Sequence, residues 1–207
     1  MDFEKLLKGI RIIPVTSVVL LLGLAGYLLV FFHFDYRAFQ IVPFSYLTGL
    51  TDYFRLFTPV FLHFSVMHIV FNSLWIWELG RRIEVYMGSV RYSGIFLITA
   101  LGGNLFQLYS SGGNNFGGLS GVVYGYLGFV FIAKKAVKHP VFNVPEGLFV
   151  AMLVFLVLGY LGVLDFLAGG GVANGAHLGG LLSGLLCGLV YFHKELKNLL
   201  GGENANR

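Results

Sequence analysis

Long apolar stretches separated by short polar segments run through almost the whole chain. A hydrocarbon core about 30 Å thick needs about 20 mostly apolar residues per helix. Stretches that approach this length predict six transmembrane helices, at about 16–34, 60–79, 92–109, 119–133, 147–168 and 174–192. The pattern therefore predicts an all-α polytopic membrane protein with one helical domain, 14–193, between a segment 1–13 and a tail 194–207. The end of that tail, 201–207, is expected to be disordered.

The composition supports a membrane protein. Of 207 residues, 57% are hydrophobic and only 12% are charged, whereas soluble domains carry about 25% charged residues. So few charges exclude an ordinary soluble globule, and so many apolar residues exclude a disordered chain. Cys187 is the one cysteine, so the chain forms no intramolecular disulfide.

The basic residues predict the orientation of these helices. Twelve of the 14 Lys and Arg residues fall before the first helix, after the sixth, or in alternate loops. They are Lys5, Lys8, Arg11, Arg81, Arg82, Arg91, Lys134, Lys135, Lys138, Lys194, Lys197 and Arg207. Only Arg37 and Arg55 fall on the other side. The positive-inside rule therefore predicts that both termini are cytoplasmic. The second, fourth and sixth helices then begin at one depth, in the outer half of the membrane.

Unusual polar residues lie within these apolar stretches. His68 and Asn72 are four residues apart on the second helix and share one face. His63 lies five residues before His68 and is expected to point elsewhere. Ser120 begins the fourth helix, and His177 begins the sixth. Polar side chains in lipid usually face the bundle interior and mark functional sites.

Small residues explain how two of these polar side chains could meet. Gly180 and Gly184 follow His177 on its own helix face, and Gly121 follows Ser120. Such patterns let membrane helices approach closely, which would bring Ser120 within hydrogen-bond reach of His177. A serine with a histidine as general base is the minimum for nucleophilic acyl transfer.

The start of the fourth helix also predicts donors for an oxyanion. Ser120 follows Gly118 at a helix N-terminus, where backbone N–H groups are unpaired and the helix dipole is positive. His68 and Asn72 could add side-chain donors from a facing helix. No carboxylate is expected at this depth, so the residues predict a Ser-His dyad rather than a triad.

Two other chemistries fit these residues less well. His63, His68 and His177 could supply nitrogens to zinc, but the chain has no His-Glu-x-x-His pattern and no carboxylate at that depth. No metal and no cofactor are therefore expected. A soluble-type lipase is disfavoured because Val122 occupies the last position of the Gly-x-Ser-x-Gly motif. The basic loops suit an anionic lipid bilayer and not nucleic acid.

Three motifs together resemble the rhomboid intramembrane serine proteases, in their short six-helix bacterial form. They are HFSVMHIVFN at 63–72, GLSGVVYG at 118–125, and Ala-His at 176–177 followed by Gly180 and Gly184. The similarity runs from about residue 53 to residue 192. It implies that Ser120 is the nucleophile and His177 the general base, with Tyr124 stacked on the imidazole. It also implies an oxyanion hole made by the Ser120 backbone N–H, His68 and Asn72.

The resemblance extends to the periphery of the site and to biology. Phe71 matches an aromatic residue where substrate is thought to pass between the second and fifth helices, and Glu84 matches a structural carboxylate. The implied activity is hydrolysis of peptide bonds in or near transmembrane segments of single-span or polytopic proteins. The implied location is the bacterial cytoplasmic (inner) membrane, with the site open to the periplasm. A non-catalytic relative and a small transporter remain as alternatives.

Overall fold

The computed structural model describes residues 12–111, 115–168 and 171–204, and all regular structure in these ranges is helical. The prediction of an all-α protein is confirmed. The α-helices are α1 (Pro14–Phe31), α2 (Leu50–Phe54), α3 (Val66–Trp75), α4 (Arg81–Met87), α5 (Ser89–Ser111), α6 (Ser120–Val137), α7 (Glu146–Tyr160), α8 (Val163–Ala168), α9 (Asn174–Tyr191) and α10 (His193–Asn204).

The second predicted helix, 60–79, begins and ends later than its apolar pattern suggested. Pro59 lies in a short 3-10 turn, and Leu62 is extended. Ser65 then caps α3, because its hydroxyl accepts a hydrogen bond from the backbone N–H of His68. The helical run continues through a π-helical segment, Ile76–Gly80, and through α4. It ends at Gly88, whose φ of +76° suits glycine.

The fifth predicted helix is interrupted, whereas the sixth is continuous and ends one residue before its predicted end. The fifth, predicted at 147–168, is divided into α7 and α8 by a turn in which Gly162 has a φ of +76°. The sixth ends at Tyr191, and the chain bends by 71° into α10. The helix reaches Asn204, so the expected disorder of 201–207 is wrong for 201–204. The last three residues lie outside the described ranges.

Helix α9 is the centre of the bundle, with α5 and α6 packed along it. Glycines allow this approach: a Cβ added to Gly180 would lie 2.7 Å from the carbonyl carbon of Gly121. A Cβ on Gly184 would lie 2.8 Å from Cα of Gly125. Backbones this close have no room for a side chain, so glycine is required on this face of α9.

Helices α1 and α7 present many apolar side chains to their surroundings. By length and composition, α1 and α6 can each cross a membrane, and α9 together with the bent segment His193–Leu199 makes a third candidate. Helix α7 is apolar but shorter. The described residues therefore include helices that are long and apolar enough to cross a membrane. That the chain has six such spans, and that both termini are cytoplasmic, stay predictions.

The segment between α1 and α3 contains α2 and short 3-10 turns, and it exposes several aromatic rings. Arg55 stabilises it by donating hydrogen bonds to the backbone oxygens of Gln40 and Arg37, at 2.9 and 3.1 Å. The N–H groups of Thr48 and Gly49 donate to the Asp52 carboxylate. These hydrogen bonds stabilise the charged carboxylate and hold the pKa of Asp52 below its ordinary value.

Candidate active site

The first turns of α3, α6 and α9 meet at one end of the bundle. They carry His68, Ser120 and His177 respectively. Each helix begins here, so unpaired backbone N–H groups and positive dipole ends converge on one region. This convergence depends on the glycine faces of α6 and α9, which bring the two backbones together.

Ser120 and His177 are in direct contact. Ser120 Oγ lies 2.8 Å from His177 Nε2. For the hydroxyl to donate to Nε2, the imidazole proton must be on Nδ1. Nδ1 is buried, and it has no hydrogen-bond partner within the described part of the chain. The pair is therefore a two-residue arrangement in which a neutral imidazole can accept the serine proton.

Tyr124 holds the imidazole from one side. Its ring stacks on His177 with centroids 4.7 Å apart and an interplanar angle of 28°. Its hydroxyl donates to the backbone oxygen of Met152 in α7, at 2.9 Å. Tyr124 thus limits the rotation of the His177 imidazole and also connects α6 to α7.

Gly118 leaves space beside the serine for two side chains. Its φ is +114°, and a Cβ there would lie 2.7 Å from His68 Cε1 and 3.4 Å from Asn72 Nδ2. Asn72 is almost fully buried, and its Nδ2 has no hydrogen-bond partner among the described residues. A buried donor without a partner is costly. Next to a serine that can attack a carbonyl, such a donor is placed to bind developing negative charge.

His63 is closer to the site than its spacing suggested, and the expectation that it points elsewhere is wrong. Its ring lies edge-on to the ring of His68, with centroids 4.9 Å apart. The Nδ1–H group can donate to the backbone oxygen of Phe61, at 2.9 Å, which leaves Nε2 to accept from the N–H of Leu119, at 3.4 Å. The five-residue spacing does not describe the relative directions of the two side chains, because α3 begins only at Val66 and His63 lies before it.

Two amides of α5 were missed by sequence reasoning. Gln107 Oε1 accepts the backbone N–H of Ala176, at 3.0 Å, directly before His177. Asn104 Nδ2 donates to the backbone oxygen of Leu56, at 2.8 Å. The signal was present, since these polar residues are three apart within a predicted transmembrane helix and share a face. Gln107 thus connects α5 to the first turn of α9, and Asn104 connects α5 to Leu56, which follows α2.

Other predicted residues lie outside this cluster. Phe71 is 45% exposed on α3 and packs edge-on against Trp75, with centroids 5.9 Å apart. Glu84 lies at the far end of the helical run and accepts the backbone N–H groups of Val15 and Thr16. Within the described ranges, no group of three His, Cys, Asp or Glu side chains is arranged to hold a metal ion.

Comparison with known proteins gives a consistent result. The family model of the Rhomboid domain matches residues 50–194, a range that includes Ser120 and His177. A Rhomboid protease GlpG from Photorhabdus laumondii is 35% identical over 185 residues, which is 89% of this chain and 64% of the relative.

Proteins of the same name from two Yersinia species are also similar. The protein from Yersinia pestis is 33% identical over 174 residues, or 84% of this chain and 61% of the relative. The protein from Yersinia pseudotuberculosis is 34% identical over 175 residues, with the same coverage. This chain therefore spans about three fifths of the length of these curated relatives.

Proposed function

This chain belongs to the Rhomboid family, and on that premise we propose that it is an intramembrane serine protease. It hydrolyses peptide bonds in or near transmembrane segments of membrane proteins. The observation that carries the proposal is the 2.8 Å contact between Ser120 Oγ and His177 Nε2. Curated relatives named Rhomboid protease GlpG support the reaction class.

In the first half of the reaction, Ser120 is acylated. Its Oγ attacks the scissile carbonyl carbon while His177 Nε2 accepts the hydroxyl proton. The carbonyl oxygen gains negative charge and receives hydrogen bonds from the Ser120 backbone N–H, His68 and Asn72. The imidazolium then gives its proton to the leaving amine, the C–N bond breaks, and an acyl-enzyme remains.

Water completes the second half. The oxygen of a water molecule attacks the carbonyl carbon of the acyl-Ser120 ester while His177 accepts a proton from that water. The same donors stabilise the second oxyanion. Collapse releases the new carboxyl group and returns the proton to Ser120 Oγ. Stacking on Tyr124 limits the motion of the imidazole through both halves. The unpaired Nδ1 of His177 supports a dyad, with orientation supplied by the stacked ring instead of a carboxylate.

The substrate reaches this site from the membrane in our proposal. A transmembrane helix hides its carbonyl groups in intrahelical hydrogen bonds, so the segment must unwind locally before attack. Substrates with small or helix-breaking residues near the cleaved bond are therefore favoured. Phe71, exposed on α3, is the proposed contact at the point of entry.

We propose six membrane spans, with both termini in the cytoplasm of a bacterium and the site opening to the periplasmic face of the inner membrane. The support is charge asymmetry: twelve of the 14 Lys and Arg residues belong to the side assigned to the cytoplasm. Among the described residues, Lys134, Lys135 and Lys138 lie at the end of α6 that is remote from Ser120.

The decisive experiment uses a single-span substrate reconstituted with the purified chain. Ser120→Ala and His177→Ala are each expected to lower cleavage by at least about a thousandfold, because each removes a group on which acyl transfer depends. Ser93→Ala is the matched control: the Ser93 hydroxyl bonds to the backbone oxygen of Ser89 in its own helix, and cleavage should be unchanged.

A fluorophosphonate probe separates this proposal from its alternatives. The wild type should be labelled at Ser120, and His177→Ala should abolish labelling. A non-catalytic relative would bind membrane proteins without labelling, and a small transporter would give solute flux in proteoliposomes without cleavage. Cleavage by Ser120→Ala at the wild-type rate would overturn the assignment of the nucleophile.

A further inference from the structure

Cations collect at the end of the bundle opposite Ser120. Helix α6 has 18 residues and is therefore about 27 Å long, with Ser120 at one end and Lys135 near the other. Arg91, near the start of α5, has its guanidinium carbon 5.6 Å from the ring centroid of Tyr191, the last residue of α9. Helix α10 then adds Lys194 and Lys197.

Among the described residues, five cations at this end have no partner of opposite charge. They are exposed, and within the part of the chain that the structure describes, none has a carboxylate oxygen within 4.0 Å: Arg91, Lys135, Lys138, Lys194 and Lys197. Other cations here are paired, since Arg82 contacts Glu78 and Lys134 contacts Glu146. Unpaired like charges repel one another, so this surface complements an anionic partner.

Exposed apolar side chains lie beside these cations. On α9, Leu186 is 61% exposed and Val190 is 66% exposed, one turn apart on the same face and just before Tyr191. On α5, Val90 is exposed next to Arg91. A soluble polyanion would use the cations but not this apolar surface. A phospholipid has both parts in the same order, with acyl chains below a phosphate.

Helix α10 has the pattern of an interfacial helix. Leu196 packs against the core of the bundle, while Leu199, one turn later on the same side, is 41% exposed. Lys194 and Lys197 lie together on the other side, three residues apart. Together with the 71° bend after α9, this distribution suits a helix in the plane of the lipid headgroups, with lysines near the phosphates.

We propose that α10 and Arg91 form a binding surface for anionic phospholipids, with phosphatidylglycerol as the test ligand. The guanidinium of Arg91 and the ammonium groups of Lys194 and Lys197 contact the phosphate, and Leu199 and Val190 contact acyl chains. This surface is separate from Ser120 and His177 and would exist even if the chain had no proteolytic activity.

The test measures lipid selectivity and not proteolysis. The full chain is reconstituted in phosphatidylcholine, and the relative association constants of spin-labelled phosphatidylglycerol and phosphatidylcholine are measured by electron paramagnetic resonance. The wild type should prefer phosphatidylglycerol. Each removed cation should lower this preference by about fivefold, so the double variant Lys194→Gln/Lys197→Gln should lose most of it, and high salt should weaken it.

Control variants keep the result interpretable. Arg37→Gln removes an exposed cation from the loop after α1 and should leave the preference unchanged, while Leu199→Asn should weaken binding of both lipids. Far-UV circular dichroism checks that each variant is folded. Equal association constants for the two lipids, or a preference that survives Lys194→Gln/Lys197→Gln in a folded protein, would overturn the proposal. So would full competition by water-soluble glycerophosphoglycerol, which would indicate a site for soluble anions.

Discussion

At the scale of single residues, the proposed oxyanion hole depends on a position that has no side chain. Gly118 adopts a φ of +114°, a conformation that L-residues rarely adopt. The space where a Cβ would lie is already filled by His68 and approached by Asn72. Glycine is therefore required at position 118 for two reasons. Its backbone has a positive φ, and a Cβ would displace the proposed donor His68 and contact the proposed donor Asn72.

We expect Gly118→Ala to lower both peptide cleavage and fluorophosphonate labelling by about a hundredfold. The methyl group must displace His68, and loss of one oxyanion donor typically costs that much or more. The matched control is Gly162→Ala, because Gly162 also has a positive φ, +76°, but nothing lies within 4 Å of an added Cβ. It should cost some stability and leave cleavage intact. Full activity in Gly118→Ala would exclude His68 as a donor at this place.

At the scale of helices, the contact between Ser120 and His177 depends on how closely α6 and α9 pack. The glycine pairs Gly121 with Gly180 and Gly125 with Gly184 bring the two backbones together over just more than one turn. The hydrophobic effect contributes little to the association of helices that are already in lipid, so close van der Waals packing of this kind drives their association instead. The same contacts stabilise the bundle and set the distance between Oγ and Nε2.

Gly184→Ala tests this contact away from the site. A Cβ there would lie 2.8 Å from Cα of Gly125, so the helices must separate, and overpacking of this kind costs about 1–3 kcal/mol of unfolding free energy. Denaturation by SDS in mixed micelles, followed by circular dichroism, measures the loss. Gly94→Ala, on α5 with no atom within 4 Å of the added Cβ, should be neutral or slightly stabilising. Equal effects of the two variants would contradict the packing argument.

At the scale of the whole molecule, one buried carboxylate connects three helices. Glu84 of α4 is 1% exposed. It accepts the N–H groups of Val15 and Thr16 at the start of α1, at 2.9 and 2.7 Å, and the hydroxyl of Ser89 at the start of α5, at 2.8 Å. Among the described residues, no other side chain caps the N-terminus of α1. Glu84 thus ties the first helix to the rest of the bundle at the end remote from Ser120.

Glu84→Gln should lower the free energy of unfolding by about 1–3 kcal/mol. The amide keeps the shape of the side chain, but its NH₂ group cannot accept, so one of the N–H groups at the start of α1 loses its partner. Thermal unfolding in detergent measures the change. Glu195→Gln on the exposed side of α10 removes the same charge without these hydrogen bonds, and its unfolding temperature should not move. A wild-type melting curve for Glu84→Gln would contradict the role of this carboxylate.

Sequence reasoning located helices well where apolar runs had polar or glycine boundaries, and less well elsewhere. Ser120 begins its helix one residue from the predicted start. The second helix was placed too early, because Val60 and Leu62 are apolar yet lie in a turn before α3. Hydropathy measures transfer to lipid and is insensitive to backbone conformation, so it cannot separate an apolar turn from a helix.

The sequence by itself determined which groups could take part in chemistry. Polar side chains are costly in apolar membrane helices, so the few that occur there usually have a structural or functional role. In this chain they include Ser120, His177, His68 and Asn72. Glycine spacing also indicated which helix faces can approach.

Only the tertiary structure decided the contacts that position those groups. These contacts join residues from different helices or from a turn. They are the stacking of His177 on Tyr124, the hydrogen bond from the N–H of Leu119 to His63, and the hydrogen bond from the N–H of Ala176 to Gln107. Such contacts depend on the rotation, separation and exact ends of neighbouring helices. Those quantities follow from packing of the whole bundle, which no single stretch of sequence specifies.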